Sequence, residues 1–257
     1  YTVFIQELIS FFDNLHFQLA FYGGAANLKK RMAQLCLPHC WPKITDDDKE
    51  FNFNGLYDLS LGIYTRKTPV SNSLNTENIN LYIITGANQG GKSTYLRSIG
   101  IAQLLMQSGL FVPASSYCNR IFDGIFSHFT RREDTALNSG KLDEELSRMN
   151  RILTEITPNS LLLMNESFAS TTEKEGTKIA LDVVNALYEN NTRIIMVTHL
   201  FEFTKTMFER KLEHTMFLSA ERLEDGTRTY RILQKEPERT SYGLDLYEQI
   251  LNDLATG

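Results

Sequence analysis

The stretch GANQGGKS, residues 86–93, follows the apolar run INLYIIT and precedes a helical pattern that begins near Lys92. Its glycines Gly86, Gly90 and Gly91 let the backbone curl, so that successive N–H groups point at one anion at a helix N-terminus. Strand, glycine-rich turn and helix in this order predict a phosphate-binding loop, in which Lys92 reaches the β- and γ-phosphates and Ser93 binds magnesium. The alternative is a glycine-rich turn without a ligand.

On both sides of this loop the pattern predicts a largely parallel sheet flanked by helices, because apolar strands alternate with helical stretches of 14 to 16 residues. The predicted strands are INLYIIT, IFDGIFSHF, SLLLMN and TRIIMVT. Helices are predicted at 92–107, 142–156 and 175–188. The fold class is therefore α/β.

Smaller elements are predicted at both ends of the chain. Residues 1–35 have apolar positions at helical spacing, interrupted at Gly23 and Gly24, and predict two helices or one broken helix. Short β-like pieces from Phe51 to Ser73, including GLYDLSLGIY, predict a small β lobe. Near the other end, two strand-like runs around Asp225-Gly226 predict a hairpin, followed by a helix at 244–254.

A second polar cluster follows the strand SLLLMN. In nucleotide hydrolases of α/β architecture such a strand ends in a carboxylate that holds magnesium, followed by a glutamate that activates water. Here the two positions are Asn165 and Glu166. An amide oxygen can still bind magnesium through a retained water, so we expect a weakened metal site rather than a lost one, with Glu166 as general base. The alternative is a glutamate that only ends a buried strand.

His199 follows the next strand, TRIIMVT, and is predicted to lie near the γ-phosphate, where it would sense or position that group. A histidine at a strand end is otherwise most often structural.

Composition limits the possible partners and compartment. The formal net charge of −5 gives no indication of a basic surface for nucleic acid, so this part of the chain is not expected to bind DNA by itself. Three cysteines, at least one of them unpaired within a monomer, indicate a reducing compartment, for which cytoplasm is the simplest choice. CLPHC at 36–40 lacks a second pair for a metal site, so ordinary buried thiols are expected. The apolar runs are too short for a membrane span.

With these motifs in view, the chain resembles the ATPase domain of the MutS family of DNA mismatch-repair proteins, within the ABC-type P-loop ATPases. The segments that carry the resemblance are ITGANQGGKSTYLRSIG (84–100), GLFVPAS (109–115), LNSGKLDEELSRM (137–149), LLLMNESFASTTEKEG (161–176), IIMVTHLFE (194–202) and TSYGLDL (240–246). They occur in the family's order across about two thirds of the chain. Residues 1–45 are similar to the end of the family's helical core and lever region, and residues 46–257 to its ATPase domain.

The resemblance implies a homodimer in which one subunit's signature segment completes the ATP site of the other. It also implies ATP and Mg²⁺ as ligands, and DNA bound mostly through regions outside this fragment. By the same comparison the catalytic residues are Glu166, His199 and Lys92; the nucleotide-binding residues are Gly86, Ala87, Asn88, Gln89, Gly90, Gly91, Lys92, Ser93 and Thr94; the metal residues are Ser93 and, through water, Asn165; and the partner-site signature is Ser139, Gly140 and Lys141.

Several positions depart from the family's pattern. Besides Asn165 in place of an aspartate, Leu142 replaces a serine, Ala169-Ser170 replace Arg-Gly before Thr171, and no adenine-stacking aromatic is obvious near 69–72. These departures indicate a divergent MutS-related protein rather than a housekeeping mismatch-repair enzyme. The resemblance itself implies a role in DNA mismatch repair or recombination. Two alternatives stay open: a nucleotide-dependent conformational clamp with negligible hydrolysis, and an ABC-type ATPase unrelated to DNA.

Overall fold

The structure is a computed structural model that describes residues 2–46, 50–130, 140–223 and 225–237. The helices are α1 (Thr2–Gln34), α2 (Leu59–Thr65), α3 (Lys92–Gln107), α4 (Lys141–Glu155), α5 (Glu173–Glu189) and α6 (Phe201–Glu209). The strands are β1 (Lys43–Ile44), β2 (Glu50–Leu56), β3 (Asn72–Glu77), β4 (Leu81–Thr85), β5 (Ser116–Asn119), β6 (Gly124–Phe129), β7 (Ser160–Asn165), β8 (Arg193–Val197), β9 (Thr215–Arg222) and β10 (Arg228–Gln234).

The main sheet has six strands in the order β10-β9-β4-β8-β7-β6. Five of them run parallel, and β10 pairs antiparallel with β9. Helices cover both faces. Residues 82 and 84 of β4 face α3 in one buried cluster, whereas residues 81 and 83 face α5 and α6 in another. This alternation explains why the parallel strands are almost continuously apolar, and it confirms the predicted α/β class with a largely parallel sheet.

The predicted small β lobe is present as a second sheet in the order β1-β5-β2-β3. Its composition differs from the prediction, because β5 comes from residues after α3, and because Leu59–Thr65, predicted as β-like, form helix α2. The reason is an N-cap: the side chain of Asp58 accepts a hydrogen bond of 3.0 Å from the N–H of Leu61. The cap stabilises a helix start that apolar spacing does not reveal.

The predicted break at Gly23 and Gly24 is wrong, since α1 runs unbroken from Thr2 to Gln34. Each glycine costs a helix interior about 1 kcal/mol, which weakens a helix without breaking it. The end of α1 packs into a third buried cluster through Met32, together with Tyr57 of the small sheet region and Phe111. None of the described helices is apolar over a length that would cross a membrane.

The hairpin predicted around Asp225-Gly226 is confirmed by β9 and β10. The N–H of Gly226 donates to the carbonyl of Leu223, and the N–H of Thr227 donates to the side chain of Asp225. Helix α6 was not predicted from the sequence. Ser139 and the predicted helix at 244–254 lie outside the described residues.

Candidate functional site

The phosphate loop spans residues 86–91, between the carboxyl end of β4 and the start of α3. Gly86 and Gly91 adopt positive φ angles of 108° and 92°, which glycine accepts without strain. The loop is pressed against β9, because a Cβ on Gly86 would lie 2.8 Å from the backbone N of Ala220. A Cβ on Gly90 would lie 2.7 Å from the Ala220 Cβ. Both glycines are therefore required by this close approach.

Lys92, the first residue of α3, is buried, with 4% of its surface exposed. Its Nζ donates hydrogen bonds of 2.7 and 2.8 Å to the carbonyls of Gly86 and Ala87. Burial lowers the pKa of Lys92 to about 8, and the negative charge of Glu166 opposes that shift. The ammonium is thus anchored over the loop, in an environment that favours an anion as an additional partner.

Glu166 and His199 lie at the carboxyl ends of neighbouring parallel strands, β7 and β8. Their side chains meet, with His199 Nε2 at 3.0 Å from Glu166 Oε1, and each side chain is 38% exposed. The hydrogen bond from His199 lowers the pKa of Glu166, burial opposes the shift, and Lys92 adds a smaller lowering effect. Glu166 is therefore a carboxylate at neutral pH and able to accept a proton.

Asn165 ends β7, directly before Glu166. Its side-chain oxygen is buried and has no hydrogen-bond partner among the described residues. An orphaned buried oxygen is uncommon, because desolvating it costs free energy that a partner normally offsets. Magnesium takes oxygen ligands such as a serine hydroxyl, an amide oxygen or water. Asn165, with Ser93 at the start of α3, is a donor set that fits this ion.

Lys92, Ser93 and Glu166 share one cavity of about 490 Å³, whose walls combine residues distant in sequence, whereas Asn165 and His199 do not line it. The predicted nucleotide residues that line it are Asn88, Gln89, Gly90, Gly91, Lys92, Ser93 and Thr94, and Glu166 joins them. A second cavity of about 230 Å³ is lined by Glu166 and His199 on the other side. The structure therefore brings the phosphate loop and Glu166 to the same opening, and His199 is hydrogen-bonded to Glu166 without lining that opening.

The cavity also contains residues that sequence reasoning missed, among them Asp58, Asn72 and Tyr230. Tyr230 lies at a bulge in β10 with a φ of 60°, and its Cβ is close to Gly91. The Asn72 side chain contacts the same strand, since its amide oxygen accepts from the N–H of Ile232 at 2.7 Å. No aromatic was evident near 69–72. An aromatic side chain, Tyr230, comes instead from a strand about 160 residues further along the chain, and Tyr57 and Tyr95 also line the cavity.

The signature residues occupy a different surface. Gly140 is the N-cap of α4, and both Gly140 and Lys141 are exposed and do not line the cavity that contains Lys92. Ser139 lies outside the described residues. Cys36 is exposed, which corrects the expectation of a buried thiol there, whereas Cys118 is buried; all three cysteines are free.

Fold and site together describe an α/β protein with a glycine-rich loop and a helix start at the carboxyl edge of a largely parallel sheet. Residues 82–252 match the protein family described as MutS domain V. The chain therefore belongs to the MutS family, through its ATPase domain.

Individual relatives agree with this assignment. Over 166 residues the chain is 34% identical to the DNA mismatch repair protein MutS of Thermus aquaticus, covering 65% of this chain and 20% of that protein. Over 207 residues it is 27% identical to the protein of the same name from Streptococcus pneumoniae, covering 79% and 24%. The chain thus spans between a fifth and a quarter of the length of these curated relatives.

Proposed function

We propose that this chain binds ATP through the phosphate loop and hydrolyses it, as the motor domain of a MutS-related DNA-binding protein. The observation that carries the proposal is the convergence of Lys92 and Glu166 on one cavity, at the carboxyl ends of two strands of the same sheet. A buried cation next to an ionised carboxylate suits in-line attack of water on a phosphate, because the cation stabilises negative charge and the carboxylate orients the water.

Within this proposal, the loop N–H groups and Lys92 hold the phosphates and stabilise charge that develops on the γ-phosphate. Glu166 accepts the proton of the attacking water. His199, bonded to Glu166 at 3.0 Å, orients that carboxylate and keeps it ionised. The hydrophobic cores on both sides of the sheet fix the three strand ends relative to one another.

Ser93 and Asn165 are the residues that would hold Mg²⁺, Asn165 through a water molecule. The bound ion would offset the negative charge of the phosphates. Asn165 contributes an oxygen but no charge, so the ion would be held less tightly than by an aspartate.

The assembly part of the proposal is a homodimer with composite ATP sites, in which Ser139, Gly140 and Lys141 face the partner's nucleotide. Exposure of Gly140 and Lys141 at the start of α4, outside their own chain's cavity, supports this arrangement. DNA would be bound mostly by regions outside these residues, since the net charge is −5. We place the process in mismatch repair or recombination, in the cytoplasm, where three free cysteines remain reduced.

One observation favours a second candidate, a nucleotide-dependent clamp with negligible hydrolysis. The position that should carry a metal-binding carboxylate is the neutral Asn165, whose oxygen has no partner among the residues described. Weak metal binding slows hydrolysis more than it weakens nucleotide binding. The two candidates therefore differ in turnover and not in affinity.

The deciding experiment measures phosphate release from ATP with magnesium, together with ATP affinity. We expect turnover in the native protein and a loss of at least about 100-fold in Glu166→Gln, with ATP still bound. Glu202→Gln, at an exposed position on α6, is the matched control and should be unchanged. Binding without turnover in the native protein would establish the clamp, and the absence of binding would overturn both candidates.

A further inference from the structure

The segment from the last residue of β7 to the start of α5, residues 165–172, is called here the Glu166 loop. Two of its residues, Glu166 and Phe168, have left-handed φ angles of 54° and 64° although neither is glycine. This conformation costs an ordinary residue about 1 to 2 kcal/mol. Residues with such backbone angles persist only where surrounding contacts hold them. One of the two residues here is Glu166, the proposed general base.

A buried carboxylate from another helix holds this loop. Glu145 of α4 is 1% exposed, and its two oxygens contact the loop separately. Oε1 accepts a hydrogen bond of 2.6 Å from the N–H of Phe168, and Oε2 accepts one of 2.7 Å from the hydroxyl of Ser170. Burying a carboxylate is costly unless it is hydrogen-bonded, so these two bonds are the reason that Glu145 is tolerated inside.

The same carboxylate-bearing residue is tied to β6 as well. His128, fully buried, contacts the backbone carbonyl of Glu145 through Nε2 at 3.1 Å and the Ser167 hydroxyl through Nδ1 at 2.6 Å. On the opposite side the loop lies against α5, where Gly176 leaves room for the Phe168 carbonyl. The loop therefore contacts α4, β6 and α5, and Glu145 is a buried carboxylate among these contacts.

We infer that Glu145 is a positioning residue for Glu166, and that it makes the start of α4 and the Glu166 loop one mechanical unit. Glu145 lies five residues after Gly140, which is about 7 to 8 Å along the helix axis. A displacement of the exposed helix start is transmitted to the loop at two points: through the Phe168 N–H to the backbone two residues beyond Glu166, and through the hydroxyl of Ser170. Contact made at Gly140 and Lys141 thereby adjusts the carboxylate in the same chain.

This inference rests on the proposed hydrolysis, so its test has two independent readouts. The first is steady-state turnover of ATP by the full chain. In Glu145→Ala we expect kcat to fall about 10- to 100-fold while KM changes less than about threefold, because misplacing a catalytic group impairs the reaction more than binding. Glu145→Gln keeps an acceptor for the Phe168 N–H and should restore most of kcat.

The second readout needs no ATP: it is hydrogen exchange of the Phe168 amide, which should become at least about tenfold faster in Glu145→Ala and stay slow in Glu145→Gln. Met149→Ala, also buried on α4 and without a bond to the loop, is the control for lost stability. If Glu145→Ala does not fold, Ser170→Ala removes one of the two bonds and should give a smaller effect of the same kind.

The outcomes separate the two claims. Native protein without turnover overturns the proposed hydrolysis, and Phe168 exchange then decides the positioning role alone. Exchange in Glu145→Ala that matches Met149→Ala overturns the positioning role even if hydrolysis is real. If Met149→Ala lowers kcat as much as Glu145→Ala does at equal stability, the positioning role is overturned as well.

Discussion

The phosphate loop and the Glu166 loop follow parallel strands of one sheet and meet at one cavity, yet they are stabilised in opposite ways. The phosphate loop obtains its unusual φ angles mostly from glycine, at Gly86 and Gly91. The Glu166 loop has ordinary side chains at such angles and is held by Glu145 from another helix. One conformation is encoded locally, and the other is imposed by tertiary contacts.

The largest expected effect comes from breaking the locally encoded loop with Gly86→Ala. The new Cβ would meet the backbone of β9 at 2.8 Å in addition to the φ of 108°, so the loop must move. We expect ATP affinity to fall by about 100-fold or more, measured by calorimetry. Gly109→Ala is the matched control, since Gly109 has a φ of 71° but open space around it. Equal loss in both variants would show that strain alone, and not contact with β9, is responsible.

This comparison explains what the sequence could predict. GANQGGKS specifies its own shape, so the loop and the placement of Lys92 at the start of α3 followed from a few adjacent residues. The apolar strands and α3, α4 and α5 were predictable for the same reason, because burial on two faces leaves a local pattern. Nothing near Glu166 in sequence indicates Glu145, and nothing near residues 69–72 indicates Tyr230. Both contacts depend on how distant elements pack.

The second prediction breaks the loop that tertiary contacts hold. In Gly176→Ala the added Cβ would lie less than 3.0 Å from the Phe168 carbonyl, which must shift away from α5. We expect kcat for ATP to fall about tenfold with ATP affinity nearly unchanged, because the phosphate loop is not touched. Turnover and binding measured on the same samples check this. If Gly176→Ala lowered ATP affinity as strongly as Gly86→Ala, this would contradict the assignment of ATP binding to the phosphate loop and of turnover to the Glu166 loop.

The third prediction concerns the charge on the phosphate loop. Burial lowers the pKa of Lys92 to about 8, and a bound phosphate favours the protonated form. Above about pH 8 the free protein loses this proton, so ATP affinity should fall roughly 10- to 30-fold between about pH 7 and about pH 9.5. Lys92→Arg stays charged and should bind with a flatter pH profile, even if more weakly.

The same lowered pKa has a consequence for folding. The unfolded chain holds the Lys92 proton up to about pH 10.5, whereas the nucleotide-free folded chain loses it near 8. Over this interval the unfolded state binds more protons, so the contribution of Lys92 to stability becomes more favourable as pH rises. Thermal unfolding of the native protein relative to Lys92→Arg should show this trend. A relative trend of opposite sign would mean that the two carbonyl hydrogen bonds outweigh burial of the charge.

The smallest expected effect comes from a change at Asn165, the first residue of the Glu166 loop. Asn165→Asp places a carboxylate where the structure has a buried amide oxygen without a partner among the described residues. With magnesium the new charge is offset, and without it the charge is buried beside Glu166. We therefore expect a severalfold lower magnesium concentration for half-maximal turnover, together with a lower melting temperature in the absence of metal.

Asn190→Asp, at the exposed C-cap of α5, controls for adding a negative charge to the chain. If Asn165→Asp and Asn190→Asp have the same magnesium dependence as the native protein, residue 165 does not contact the metal or its water. The orphaned oxygen would then be a cost of the tertiary constraint on this loop rather than a ligand. That result would leave Ser93, near the start of α3, as the proposed metal-binding residue of the cavity.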